Sequence, residues 1–325
     1  MRAKVAAATD VGRKRSGNED SYALWTAEAT QVDPLIDTLL VVADGMGGSN
    51  AGEVASRMTV EAVVHAIASA RGGDPVAALR IAVETANSEV FEHGRSRVDL
   101  RGMGTTCTVV GLKGDHVFLA HVGDSRCYLI RGGDIRRLSQ DHSLVAQLVA
   151  RGQLTPEQAK VDPRRNVVTR SVGVEAAVDV DAEAIGAPLQ PGDTLLVCSD
   201  GLHGQVGDAD LARIGSGESL ERACRELIAL ANQNGGPDNI TVAMARLEPV
   251  EDEERPVRRS ALTDATPPRG VPAASRRESR AQVPPPAPAR ATRRPAGGAN
   301  RSATLRWLII AMVVLLVVLC GAIAI

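Results

Sequence analysis

Residues 105–138 read TTCTVVGLKGDHVFLAHVGDSRCYLIRGGDIRRL. The apolar runs 105–112, 116–122 and 126–131 are rich in Val, Leu and Ile, and Gly114-Asp115 and Gly133-Asp134 punctuate the stretch. Short β-branched runs broken by Gly-Asp read as strands joined by tight turns. A meander from Thr105 to Leu138 is expected. No helical pattern interrupts it, so the sheets are expected to be antiparallel, with helices in separate layers; a doubly wound parallel fold is disfavoured and the class is α+β.

Further strands are expected at 4–9, 38–43, 178–185, 194–198 and 241–246, and helices at 51–70, 75–93, 144–150 and 219–233. No internal repeat is visible. Hydrophobic residues make up 44% of the chain but aromatics only 2%. The core must therefore be built from Val, Leu, Ile and Ala, and stacking on nucleic-acid bases is disfavoured as a main mode of binding. The formal net charge of −2 hides an asymmetry. From Arg255 to Arg306 twelve arginines meet only Asp264 and Glu278, which leaves a formal −12 for the residues before them. An acidic folded part disfavours a polyanion ligand and is compatible with cations, although a solvated acidic surface would look the same.

Composition divides the chain into a folded domain at 1–247, a Pro/Ala/Arg/Ser-rich linker at 248–304 and an apolar segment at 305–325. The linker has too few large apolar residues to offset its ordering entropy and is expected to be disordered and partly extended. From Trp307 to Ile325 there are 19 residues without a charge. At about 1.5 Å per residue they nearly cross a hydrocarbon core of roughly 30 Å, as one transmembrane helix. Arg293, Arg294, Arg301 and Arg306 lie on its N-terminal side. That bias places the linker and folded domain in the cytoplasm, at the inner membrane. The start, MRAKVAAATDVG, lacks the apolar run of a signal peptide. Cys107, Cys127, Cys198, Cys224 and Cys320 show no metal-ligand spacing and read as small apolar residues in a reducing compartment.

Four aspartates share a context: Asp44 in LLVVADGMGG, Asp124 in FLAHVGDSR, Asp200 in LLVCSDGL and Asp238 in GGPDNITV. Each adjoins a strand pattern and a Gly or Asn that permits a tight turn. Carboxylates that converge at strand ends repel unless protonated or neutralised, and oxygen donors without Cys or His favour Mg²⁺ or Mn²⁺. A single Asp-Gly is usually a plain turn; four with the same grammar carry the argument. Gly45, Gly47 and Gly48 let the backbone approach a ligand, and a carbonyl there could bind a cation. Arg15, in the run RKRSGNED, could grip phosphate oxygens bidentately, while Glu19 and Asp20 could extend the acidic cluster.

TDVGRKRSGNEDS, VADGMGG, GTTCTVV, HVGDSRCYLI, LSQDHS, TRSVG, VCSDGL and GGPDNITV occur in the order found in type 2C metal-dependent Ser/Thr protein phosphatases. Over residues 3–247 the chain resembles the compact bacterial branch of that family. The resemblance implies a four-layer α-β-β-α sandwich of two antiparallel sheets flanked by helices, and hydrolysis of phosphoserine and phosphothreonine by a metal-bridged hydroxide. It implies two or three Mn²⁺ or Mg²⁺ ions. Asp44, Asp200, Asp238 and the Gly45 carbonyl match the direct ligands, Glu19 and Asp20 match positions that act through water, and Asp124 matches the ligand of a third metal. Arg15 matches the phosphate-binding arginine. The partners implied are phosphorylated proteins, among them Ser/Thr kinases and their substrates, with the membrane reached through the C-terminal helix. The catalytic part is expected to be monomeric.

Two points stay open in the sequence. Eukaryotic relatives carry a His two residues after the first metal Asp; here the residue is Met46, so leaving-group protonation falls to water or to His142 in QDHS. A silent phosphoprotein-binding adaptor and a phosphatase for a small metabolite are the alternatives. The first needs a missing ligand, and Asp44, Asp200 and Asp238 are all present.

Overall fold

A computed structural model describes residues 2–27, 33–47, 51–186 and 188–248. Its layering can be read from one strand, β3 (Thr38–Met46), whose side chains alternate between two cores. Leu39, Val41 and Ala43 pack beneath helices α1 (Ala51–Ser69) and α2 (Pro75–Ser96), while Leu40 and Val42 face a second sheet. A strand buried on both faces must be apolar throughout, which is why 38–43 reads as a continuous run.

The first sheet has the order β2-β3-β5-β6-β9, with β2 (Asp20–Thr26), β5 (Cys107–Lys113), β6 (His116–Val122) and β9 (Asp181–Ala184). The two-residue β4 (Gly104–Thr105) pairs with the end of β3. The second sheet has the order β1-β11-β10-β7-β8, with β1 (Arg2–Asp10), β7 (Arg126–Arg131), β8 (Asp134–Arg137), β10 (Thr194–Cys198) and β11 (Ile240–Glu248). These pairings are all antiparallel.

Between the sheets Leu40, Val110 and Leu119 meet Leu129, Val197 and Ala245. On the far side Tyr128, Leu196 and Met244 pack against α5 (Asp200–His203), α6 (Asp208–Gly215) and α7 (Leu220–Gln233). The layer order is therefore α-β-β-α. Local signals set the helix starts: the Asp74 carboxylate accepts from Val76 N–H before α2, and the Ser219 hydroxyl accepts from Arg222 N–H before α7. A connection at the rim carries α3 (Leu144–Ala150) and α4 (Pro156–Val161).

Several expectations require correction. The stretch 105–138 is not one meander: β5 and β6 form a hairpin in the first sheet, and β7 and β8 form another in the second. The chain crosses between sheets at Gly123-Asp124-Ser125. The expected strand 105–112 breaks at Thr106, whose hydroxyl accepts from Asp44 N–H at 2.9 Å. Strand 178–185 shortens to 181–184, and the final strand runs to Glu248, one residue past the expected domain boundary. Strand β2 was not expected because it is half-exposed and begins on an acidic residue. The rest of the linker, the apolar segment 305–325 and Gly48 lie outside the described residues. Among the described residues no helix is long and apolar enough to cross a membrane.

Candidate metal and phosphate site

The acidic residues meet because both sheets end at one rim. Asp44 lies near the end of β3, directly opposite Asp20 at the start of β2. Asp200 opens α5 immediately after β10, and Asp238 lies two residues before β11. Asp124 sits on the link that crosses between the sheets. Asp44, Asp124, Asp200, Asp238 and Glu19 line one cavity of about 280 Å³, with Arg15 the only basic side chain on its wall among the described residues. Asp20 lies behind Asp44 instead, 8% exposed, its Oδ2 accepting from the Ser199 hydroxyl at 2.7 Å.

Backbone geometry makes the convergence possible. A Cβ on Gly45 would lie 2.1 Å from the Gly52 carbonyl oxygen, so no larger residue fits where β3 meets the start of α1. Gly123 has φ +110°, and a Cβ there would lie 2.6 Å from Thr106. Asp44 is held by its own peptide group: its N–H donates to Thr106 Oγ1 at 2.9 Å, and its carbonyl accepts from Thr106 N–H at 2.8 Å and Thr105 Oγ1 at 2.9 Å. Asn239 ties the N-terminal segment to the rim, accepting from Glu19 N–H and donating to the Val11 and Gly17 carbonyls.

Burial and mutual repulsion push Asp20, Asp44, Asp124 and Asp200 toward their neutral forms. Asp20 rises to about 7 and Asp124 to about 7, both chiefly through burial. Asp200 rises to about 6, through burial and then the Asp238 charge. Asp44 rises well above the usual range through burial, with Asp20, Asp200, Asp124 and Asp238 adding repulsion. Arg15, its side chain 48% exposed at the mouth, donates from Nη2 to Asp238 Oδ2 at 2.7 Å.

This donor set fits divalent cations. Asp20 Oδ1 and Asp200 Oδ1 are buried with no hydrogen-bond partner among the described residues. Buried carboxylate oxygens carry a cost that a proton or a cation must relieve, and a set made only of oxygens suits hard ions such as Mg²⁺ and Mn²⁺. Among the described residues no three acidic, His or Cys side chains are already drawn in around a single ion. The carboxyls are spread around the cavity wall instead.

The family model of protein phosphatase 2C matches residues 12–247. This chain belongs to the protein phosphatase 2C family. The phosphatase is 38% identical over 241 residues to the serine/threonine phosphatase stp of Listeria monocytogenes, covering 73% of this chain and 92% of that one. Its fold superposes on the serine/threonine phosphatase of S. agalactiae with a TM-score of 0.69, at 38% identity, over 76% of this chain and all of that one. It superposes on the catalytic domain of the serine threonine protein phosphatase PstP, solved with two manganese ions, with a TM-score of 0.65 at 35% identity, over 76% of this chain and 99% of that one. It is a serine/threonine protein phosphatase with the fold of that family.

The motifs mark the acidic residues of the phosphatase but not their supports. Thr105, Thr106, Ser199 and Asn239 all fall within quoted motifs, yet their roles depend on partners distant in sequence. Asn166 and Val168 reach the cavity wall from the connection that carries α3 and α4. His142 is corrected as a proton donor. It is 6% exposed, Gly123 N–H donates to its Nδ1 at 3.0 Å, its Nε2 lies 3.0 Å from Asp181 Oδ2, and it is absent from the cavity wall. Burial also pushes its pKa down.

Proposed function

We propose that the phosphatase hydrolyses phosphoserine and phosphothreonine in proteins with two or three Mn²⁺ or Mg²⁺ ions as cofactors. Asp44, Asp200, Asp238 and the Gly45 carbonyl hold two of them, Asp124 serves a third, and Glu19 and Asp20 act through water. The observation that carries this reading is the convergence of carboxyls from both sheets on a cavity with Arg15 at its mouth, Asp200 Oδ1 on its wall and Asp20 Oδ1 behind it both lacking a hydrogen-bond partner among the described residues. Cations bound there lower the pKa of a water near the phosphorus and neutralise phosphoryl charge.

The protein's own groups supply the rest. Arg15, held through Nη2 by Asp238 and with Nη1 4.0 Å from Glu19 Oε2, turns its guanidinium to the phosphoryl oxygens at the mouth, where a planar fork holds two at once. Asp20 and Ser199 brace Asp44 and Asp200 from behind, so the ligand geometry is set before substrate arrives. Met46 lies on the wall and has no proton to give. With both nitrogens of His142 engaged, the leaving group takes its proton from water. The buried cysteines serve as packing: burial raises Cys107, Cys198 and Cys224 to about 12, far from a nucleophilic thiolate.

We assign the catalytic role to 1–247, a tether role to the Pro/Arg-rich linker and a single membrane span to 305–325, with the catalytic domain at the cytoplasmic face of the inner membrane, where it opposes Ser/Thr kinases. Uncharged length and flanking arginines support the span. The reading is tested by phosphate release from a phosphothreonine peptide with Mn²⁺. It should vanish in Asp44→Asn and Asp238→Asn; activity that survives both, or persists in excess chelator, overturns the mechanism. Deleting 305–325 should move the protein from the membrane fraction to the soluble one, and no shift overturns the anchor.

A further inference from the structure

A second cavity, of about 500 Å³, has no part in the chemistry above. The end of α2 supplies Phe91 and Arg95, the turn after it Arg101, and the segment before β9 Gly173 and Val174. Gly104 lies between one lining residue of this cavity and one of the metal cavity. Gly104 pairs with Met46 across β4 and β3, and the neighbouring Thr105 pairs with Val172. A Cβ on Gly104 would lie 2.6 Å from Val174 Cγ2 and 3.6 Å from Met46 Cγ. Met46 lines the first cavity and Val174 the second. Gly104 is buried, and a side chain there would collide with Val174.

Two strand-to-strand steps of about 4.8 Å separate β3 from the segment carrying Val174, or roughly 10 Å. An extended peptide covers that distance in about three residues. The far cavity is basic and partly apolar. The Arg95 guanidinium stands 5.5 Å from the Phe91 ring centroid, and its ion-pair partner among the described residues is Glu92, at 3.9 Å and itself 71% exposed. Arg101 bonds, among the described residues, only through its backbone N–H, to the Val98 carbonyl. Asp99 is already engaged by Arg97 at 2.7 Å, and Val174 is 46% exposed. A free anion would need no apolar wall. A polypeptide brings both an anionic side chain and apolar stems, and its phosphorylated residue is held in the cavity that Met46 lines.

We infer that this groove receives the substrate chain beside its phosphorylated residue and selects substrates with an anionic side chain about three residues away, facing Arg95 and Arg101. The inference rests on the phosphoprotein phosphatase reading above and names part of its specificity.

The test compares kcat/KM for phosphothreonine peptides carrying Glu, a non-hydrolysable phosphonate or Ala three residues before or after the phosphothreonine, alongside p-nitrophenyl phosphate. Wild type should prefer one or both anionic peptides to the Ala peptide by about tenfold, as two partly exposed ion pairs allow. Whichever anion gains more identifies the group read. Arg95→Ala/Arg101→Ala should erase the preference and leave p-nitrophenyl phosphate turnover within twofold. Arg95→Lys/Arg101→Lys should keep most of it, and raising salt should weaken it. Equal rates for all peptides in wild type, or a preference surviving in the double Ala variant, overturn the inference. Failure of wild type to cleave any of these substrates counts against the enzymatic reading instead.

Discussion

Removing divalent cations should make the stability of this phosphatase fall as pH rises from 5 to 8, opposite to the usual behaviour of paired carboxylates. The reason lies in Asp20, Asp44, Asp124 and Asp200, whose carboxyls are raised when folded. A raised carboxyl holds its proton in the folded state where the unfolded chain has released it. Its contribution is complete below the unfolded value near 4, declines as pH passes through the folded value, and is gone above about pH 8. For Asp20, moving from 3.8 to about 7, this amounts to ~4 kcal/mol in all and about 3 kcal/mol between pH 5 and pH 8. Asp124 and Asp200 act in the same direction, but a proton on one carboxyl relieves its neighbours, so the contributions do not add. For a domain of this size ~3 kcal/mol corresponds to roughly 5–10 °C in Tm.

The assay is thermal unfolding of the EDTA-treated protein at pH 5, 6, 7 and 8, followed by circular dichroism, then repeated with Mn²⁺ at pH 8. Tm should fall across the series and recover with the ion, which binds the ionised cluster of the folded state alone. Asp20→Asn should flatten the slope by removing one of these titrations. A chelated Tm that stays level or climbs between pH 5 and pH 8 would refute the reasoning, as would the absence of any Mn²⁺ response at pH 8.

Gly45→Ala should abolish both activity and soluble expression, because its Cβ would meet the Gly52 carbonyl oxygen at 2.1 Å; a soluble, active variant would show that the backbone there can shift. Ser199→Ala removes the donor to Asp20 and the acceptor of Thr241 N–H at 3.0 Å. It should cost about 1–3 kcal/mol in urea unfolding and raise the Mn²⁺ concentration needed for half-maximal activity. His142→Gln should change kcat on a phosphopeptide only a few-fold, whereas loss of a general acid would reduce it about 10²- to 10⁴-fold. Steady-state kinetics distinguishes the two outcomes.

Antiparallel layering was legible in the sequence because the strands are strong apolar runs at 116–122, 126–131 and 194–198, and these appear with the expected bounds. Asp44, Asp124, Asp200 and Asp238 were legible because strand grammar places each beside a turn, and strand ends gather at a rim. Less could be read where local and tertiary signals diverge. β2 is half-exposed and lacks a clean alternation, and α5 is a single turn of four residues. The crossing at Gly123-Asp124-Ser125 looks like one more Gly-Asp turn until pairing shows β6 and β7 in different sheets. Chain pattern alone therefore determined which residue types carry the charge and that they sit at strand ends. Only tertiary structure decided their ranks: Asp20 stands behind the cavity, His142 is bound on both nitrogens, and Gly104 lies between Met46 of that cavity and Val174 of a second, basic one. Those distinctions depend on contacts between residues tens to hundreds of positions apart, which no local periodicity encodes.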